Sequence, residues 1–450
     1  MRSLRDLLRL AVSVLMGQLA VIGFGVADTV MLGHYSTTAN LATLSIGQAI
    51  YITLYVALSG VTQSLLPTLG RGFGAGTPRA VGEGFRQGLW LAAGLCFVGM
   101  AVLLWPQPLL ALTGQAHDPM VDRYLTLLAF GLPAALVFRV HAALSQAISR
   151  PLLTAGLQIG GLLVKLLLNA LFLLPDQFGL HGMAPLGASG CAIATVLTQY
   201  GLVAVALLQH RHSGALRPFA ALSRWDWPDW AAQTHLLRLG GPIGLSLLVE
   251  VSAFTFMALF IARLGNTVLA AHQITANFAT VLYMLPLSIS IATGSVVAQH
   301  LGAGNTRAAR HMAWSGVGTA AMLSVVIGWI VWLERSHIIG WYTTAPEVQH
   351  VADHLFLFIA LYQVFDAVQS SSAFVLRSYH IAVLPSVLYA LSLWGIGLGG
   401  GYMLGFNTLG LTPPALQGAA GFWMGNTAGL AVAASCFAAL LWRVARKPAH

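Results

Sequence analysis

The chain has 450 residues, of which 22 are Lys or Arg and 13 are Asp or Glu, so 8% carry a formal charge, against roughly 25% in soluble domains. With 57% of residues hydrophobic and a mean hydropathy of +0.77, no charged shell can cover it, which excludes an ordinary soluble enzyme and any large disordered region. The net charge of +9 sits in short polar segments between apolar runs and marks membrane topology, not nucleic-acid binding.

The first apolar run covers 8–33, preceded by Met1-Arg2-Ser3-Leu4-Arg5-Asp6. It is too long for a signal-peptide core and ends on no small-residue cleavage site, so it reads as a retained first span. Further runs follow at 41–70, 84–107, 119–147, 151–175, 188–210, 234–264, 268–300, 311–333, 347–376, 382–405 and 415–442. Each is long enough to cross a bilayer as a helix, some with tilt. The sequence therefore predicts an all-α membrane protein with twelve transmembrane helices. Cys96, Cys191 and Cys436 fall inside these runs and read as small buried hydrophobes, not disulfide partners.

Basic residues test the count. If the N-terminus lies inside, 17 of the 22, from Arg2 to Lys447, fall in inside segments. Arg123, Arg263 and Arg335 fall outside, and Arg139 and Lys165 fall within spans. Such a bias predicts both termini in the cytoplasm.

The longest polar inside segment, 211–233, lies near the midpoint and predicts a linker between six-helix halves, 1–210 and 234–450. Internal repetition supports that division. Gly74-Ala75-Gly76-Thr77-Pro78-Arg79-Ala80 returns 228 residues later as Gly302-Ala303-Gly304-Asn305-Thr306-Arg307-Ala308, and the same offset relates Leu41-Ala42 to Leu269-Ala270 and Phe130 to Phe358. Parallel repeats of this kind mark transporters, with substrate bound where the repeats meet.

Three acids lie well inside predicted spans: Asp28, Glu250 and Asp366. A central acid costs at least about 2.5 kcal/mol on insertion scales, so it is expected to face a cavity or a partner. Phe254 follows Glu250 by four residues and Tyr362 precedes Asp366 by four, so each aromatic shares a helix face with its acid. A carboxylate beside an aromatic ring suits an organic cation, through charge pairing and cation–π attraction. Arg139 and Lys165, in the fourth and fifth runs, are available partners for Asp28, and a structural bridge is the expectation for Arg139.

Other signals carry less. His350 and His354 flank Asp353 at metal-like spacing, but at a span end, where interfacial polar residues are expected. Gly72-Phe73-Gly74-Ala75-Gly76 is followed by no Gly-Lys-Ser/Thr, so it is no phosphate loop. Any pumping is then driven by an ion gradient.

Four motifs together resemble the multidrug and toxin extrusion (MATE) family: Val26-Ala27-Asp28-Thr29-Val30-Met31-Leu32-Gly33, Gly241-Pro242-Ile243-Gly244, Ala270-Ala271-His272-Gln273-Ile274, and Leu301-Gly302-Ala303-Gly304-Asn305. Gly244-Leu245-Ser246 through Glu250 to Ser252-Ala253-Phe254 is closest to its bacterial NorM-like branch. The resemblance runs over nearly the whole chain, in order.

It implies two six-helix lobes around a cavity that opens alternately to each side, and export of cationic amphipathic compounds in exchange for H⁺ or Na⁺. Glu250 and Asp366 match the branch's coupling acids, where Na⁺ could bind, and Asp28 matches the acid of the N-terminal lobe. Tyr362, Phe254 and Gln273 become substrate contacts; Asn169 and Thr195 become polar neighbours of Asp28. No cofactor beyond the coupling ion is implied. Neither is an enzyme or a nucleic-acid partner; a monomer in the bacterial inner membrane, among lipids and small cationic or lipophilic substrates, is.

Lys165, one turn before Asn169, departs from the family pattern, in which an uncharged amide is the commoner residue. It is expected to hold Asp28 as a tethered cation; the alternative is that it reaches for an interface. Two rival functions stand beside export. A lipid-linked oligosaccharide flippase calls for a basic cavity, whereas the spans hold three acids against two bases. A multi-pass membrane enzyme calls for clustered histidines, whereas the 15 here are scattered.

Overall fold

The computed structural model describes residues 4–108, 118–179 and 184–446. Met1, Arg2, Ser3 and Lys447, which belong to the termini invoked above, lie outside them. The chain is 87% helical, with no strand among the described residues. Twelve helices are long and apolar enough to cross a membrane. In chain order they are α1 (Leu4–Tyr35), α2 (Thr38–Gly74), α3 (Pro78–Leu104), α4 (Pro119–Ala147), α5 (Leu152–Leu173), α6 (Gly187–His212), α7 (Trp230–Ala262), α8 (Asn266–Gly302), α9 (Thr306–Tyr342), α10 (Pro346–Ser378), α11 (Val383–Gly405) and α12 (Ala419–Arg446).

Local chemistry sets many of the boundaries. Proline opens α3, α4 and α10 (Pro78, Pro119, Pro346), where its missing N–H would go unpaired in any case. Asp118 caps α4 by accepting from the Met120 amide at 2.9 Å, and Asn305 caps α9 by accepting from Ala308 at 2.9 Å. α2 breaks at Gln63–Ser64. Pro67 explains the break, since its ring crowds the carbonyl four residues back and donates nothing.

The repeated motif folds the same way twice. Gly76 and Gly304 take φ of +66° and +72°, left-handed values that favour glycine. The Thr77 amide donates to Gly72 O at 3.1 Å and the Asn305 amide to His300 O at 2.9 Å, so even the turn's hydrogen bonds repeat at the 228-residue offset.

The chain divides into two compact units, Ser13–Gly244, and Leu245–His450 together with Met1–Val12. The division falls within α7, and the polar segment 211–233 lies with the first unit. There it is clamped to α3: Arg86 pairs with Asp226, Gln87 Nε2 donates to Trp227 O at 3.0 Å, and the Trp90 indole donates to Asp226 O at 2.9 Å. At the centre of this unit is α4, mostly buried, with α2, α3 and α6 against it.

In the second unit α10 is central, packed by α8, α9 and α12. Leu7 and Ala11 of α1 belong to the same apolar core. A glycine seam joins α11 and α12: Gly397, Gly401 and Gly405 face Gly421, Gly425 and Gly429, all at four-residue spacing. A Cβ on Gly425 would lie 2.4 Å from the Gly401 nitrogen, so backbones meet where only glycine fits.

Candidate functional site

Among the described residues of the first unit, one acid is fully buried. Asp28 on α1 is held from two helices: Lys165 Nζ of α5 lies 2.8 Å from Oδ2, and Asn169 Nδ2, one turn on, donates to Oδ1 at 2.8 Å. Lys165 also donates to Thr195 Oγ1 on α6 at 2.6 Å, while Thr195 passes its own proton to Cys191 O at 2.9 Å. The Phe24 ring, one turn before Asp28, lies 5.5 Å from Nζ. The side chains of Lys165 and Asp28 are 2% and 3% exposed, so Lys165 does not reach for an interface. A buried pair of this kind needs its remaining donors and acceptors matched; Thr195 and Asn169 supply part of that match, while Asn169 Oδ1 is left buried without a partner.

Arg139 is a correction. The expected bridge to Asp28 is not made: Arg139 forms no ion pair among the described residues, and its Nε is buried without a hydrogen-bond partner. Its charge instead lies within electrostatic reach of Tyr55 on α2. Asp28 can satisfy one cation at contact distance, and Lys165, one turn from Asn169 on α5, holds that place.

The second unit gathers two carboxylates. Glu250 on α7 and Asp366 on α10 lie within electrostatic reach of each other. Tyr389 of α11 and the Arg377 guanidinium lie within electrostatic reach of Glu250. Asp366 is buried and has no hydrogen-bond partner among the described residues. The two aromatics singled out from the sequence do meet: Phe254 and Tyr362 pack edge to face, ring centres 6.2 Å apart. Tyr362 also packs edge-on against Trp423 of α12 at 5.9 Å. The result is two carboxylates beside an aromatic wall, one of them without a donor, which is chemistry suited to a cation.

Gln273 is exposed on α8, and its neighbour His272 packs on Trp423 with ring centres 6.0 Å apart.

Four contributors were not singled out from the sequence: Tyr283, Tyr389, Arg377 and Trp423. Tyr283 lies in reach of both acids. In an apolar span an aromatic looks like core, and Arg377 falls just past the apolar run 347–376, whereas in the structure it lies in the last turn of α10 with its guanidinium 4.5 Å from the Phe374 ring centre. One signal was available for Tyr283: it stands 228 residues after Tyr55, in the repeat's own register.

No group of three or more His, Cys, Asp or Glu able to hold a metal ion occurs among the described residues. His350 and His354 pack edge to face with ring centres 5.0 Å apart, but the Asp353 between them in sequence pairs with Arg335 at 2.9 Å.

The MatE family model matches residues 14–171 and 242–403. "Probable multidrug resistance protein NorM" of Aromatoleum aromaticum is 37% identical over 97% of this chain and 93% of its own length. "Multidrug resistance protein PmpM" of Pseudomonas aeruginosa is 33% identical over 99% and 92%. Among solved structures, the eukaryotic MATE transporter AtDTX14 superposes with a TM-score of 0.85 at 20% identity, over 98% of both chains. The Vibrio cholerae MATE transporter VcmN in its bent form gives 0.80 at 19%, over 98% and 97%. At such identities the structures speak to fold, and the curated relatives speak to family. Twelve spans, carboxylates buried where a membrane would make them costly, and matches along nearly the full length agree: the chain belongs to the MatE family, as a multi-pass transporter of the bacterial inner membrane and not an enzyme.

Proposed function

We propose that this transporter exports cationic, amphipathic drugs or toxic organic cations in exchange for H⁺ or Na⁺, by alternating access. The observation that carries the proposal is the pairing of Glu250 and Asp366 beside Phe254 and Tyr362. Carboxylates supply the countercharge for a lipophilic cation and the rings supply cation–π attraction; the same oxygens accept a proton or, with a hydroxyl or carbonyl, a hard cation such as Na⁺. Competition for these oxygens couples the two fluxes. Drug binds from the inside; H⁺ or Na⁺ arriving from the outside takes the carboxylates and releases it.

In this scheme Glu250 and Asp366 are the coupling acids, joined by Asp28 only when Lys165 releases it; Tyr362, Phe254 and Gln273 are the substrate contacts, and Lys165, Asn169 and Thr195 the network around Asp28. The halves 1–210 and 234–450, joined through 211–233, are the moving parts. Both termini are cytoplasmic, from the bias in basic residues, and the working unit is a monomer among membrane lipids. The names of the curated relatives, multidrug resistance proteins, support the substrate class.

The test is reconstitution in liposomes with an imposed pH or Na⁺ gradient and a fluorescent organic cation. Gradient-driven transport by one ion, lost when that gradient is collapsed, is the expected result. Transport that ignores both gradients removes antiport from the scheme.

A further inference from the structure

Arg139 is the charge that cation export does not use. It lies on α4, eight residues or about 12 Å from the helix end at Ala147, too deep for its head to share the end carbonyls. A guanidinium carries five N–H donors and no acceptor. An arginine with a purely structural role in a membrane protein is paired, because an unmatched charge at this depth is expensive. Arg139 is not: it makes no hydrogen bond or ion pair among the described residues. The one acid buried in a span of the same unit, Asp28, is already held by Lys165 and Asn169.

Its neighbours are donors too. Tyr55 is within reach of the guanidinium and stacks on Tyr51, ring centres 5.9 Å apart with planes 9° from parallel. Neither phenol makes a hydrogen bond among the described residues, and all three side chains are only partly buried. α2 and α4 pack against each other, so the unpaired guanidinium of Arg139 lies within electrostatic reach of Tyr55, with Tyr51 stacked alongside that ring. What complements such a set is an anion, with the Tyr faces taking the apolar body attached to it.

The internal repeat sharpens the contrast. Tyr55 and Tyr283 hold one position in the repeat, 228 residues apart. Beside Tyr283 stand the acids Glu250 and Asp366; beside Tyr55 stands Arg139. The duplicated scaffold thus presents opposite charges next to the same tyrosine.

We propose that Arg139, with Tyr51 and Tyr55, is a binding site for the anionic group of an amphiphilic substrate, a carboxylate above all. Arg139 then sets how strongly amphiphiles that carry an anionic group are held relative to those that lack one. The inference rests on the export reading and extends it.

A matched pair of probes tests it: a cationic xanthene dye with a free carboxylate, and the ethyl ester of the same dye. Binding to the purified full-length protein is followed by fluorescence polarisation, and export in liposomes. Arg139→Gln should weaken binding of the acid dye on the order of ten- to a hundredfold, the range for one charge-assisted hydrogen-bonded contact. The ester should change less than about twofold, which also shows that the variant is folded. Arg139→Lys, which keeps the charge without the fork, should fall between. In the wild-type protein hexanoate should displace the acid dye and leave the ester bound, a measurement that needs no variant. Equal losses for both dyes, or an acid dye indifferent to Arg139 and to hexanoate, overturn the proposal. If the ester is exported while Arg139 proves indifferent, this inference alone fails; if the wild type exports neither dye, the export reading fails with it.

Discussion

Lys165 Nζ lies 2.8 Å from Asp28 Oδ2, and both side chains are shut away from solvent. A mobile cation at that carboxylate would have to displace an ammonium that is covalently tethered and further held by Thr195. In the first unit the cation position beside Asp28 is thus filled by the chain itself.

Breaking that pair from one side should be costly. Lys165→Met or Asp28→Asn leaves an uncompensated buried partner, which destabilises by about 3–5 kcal/mol. The double change removes both charges and should be milder than the sum. Thermal unfolding of the four purified proteins completes the cycle, and purely additive losses would mean that the two residues do not interact. Lys165→Asn, which opens the carboxylate to mobile ions, should also gain a Na⁺-dependent rise in melting temperature.

Glu250 and Asp366 should be needed for transport and dispensable for folding. Glu250→Gln and Asp366→Asn keep the shape and remove the charge, so yield and melting temperature should hold while gradient-driven efflux falls at least tenfold. Efflux near the wild-type rate in both variants would eliminate them as the coupling pair.

The aromatic wall makes a graded prediction. Tyr362→Phe keeps the ring that touches Phe254 and Trp423 and should be mild. Phe254→Leu loses a cation–π contact worth about 0.5–2 kcal/mol, a fewfold to roughly thirtyfold in affinity. Titration with a quaternary ammonium dye reads it directly; unchanged affinity would reduce Phe254 to packing.

At Gly425 the α11–α12 seam should tolerate nothing larger than glycine. A side chain at Gly425 meets the backbone of Gly401 and Gly397, which cannot swing aside as a side-chain tip can. Gly425→Val should therefore abolish the folded monodisperse protein on size exclusion. Gly395→Ala, with nothing within 4 Å of the added carbon, is the matched control and should elute normally.

Much of the site was legible in the sequence, for reasons that differ from residue to residue. Asp28, Glu250 and Asp366 stood out because a charge in a run of apolar residues needs no tertiary information to be noticed. Phe254 and Tyr362 followed from helical spacing, which is also local. Tyr389 and Trp423 gave no such sign, since an aromatic in an apolar helix looks the same whether it faces lipid, core or a carboxylate.

By itself the sequence determined the twelve spans and the parallel repeat. Hydropathy over some twenty residues and a motif recurring at a fixed offset are properties of the chain alone, so they survive without the fold. The tertiary structure alone decided that Lys165 and not Arg139 takes Asp28, that Glu250 comes within electrostatic reach of Asp366, and that α11 closes on α12 through glycine. Each depends on how helices far apart in sequence are rotated and seated against one another. An α-helix offers a different face every 100° at almost no local cost, so packing chooses the face.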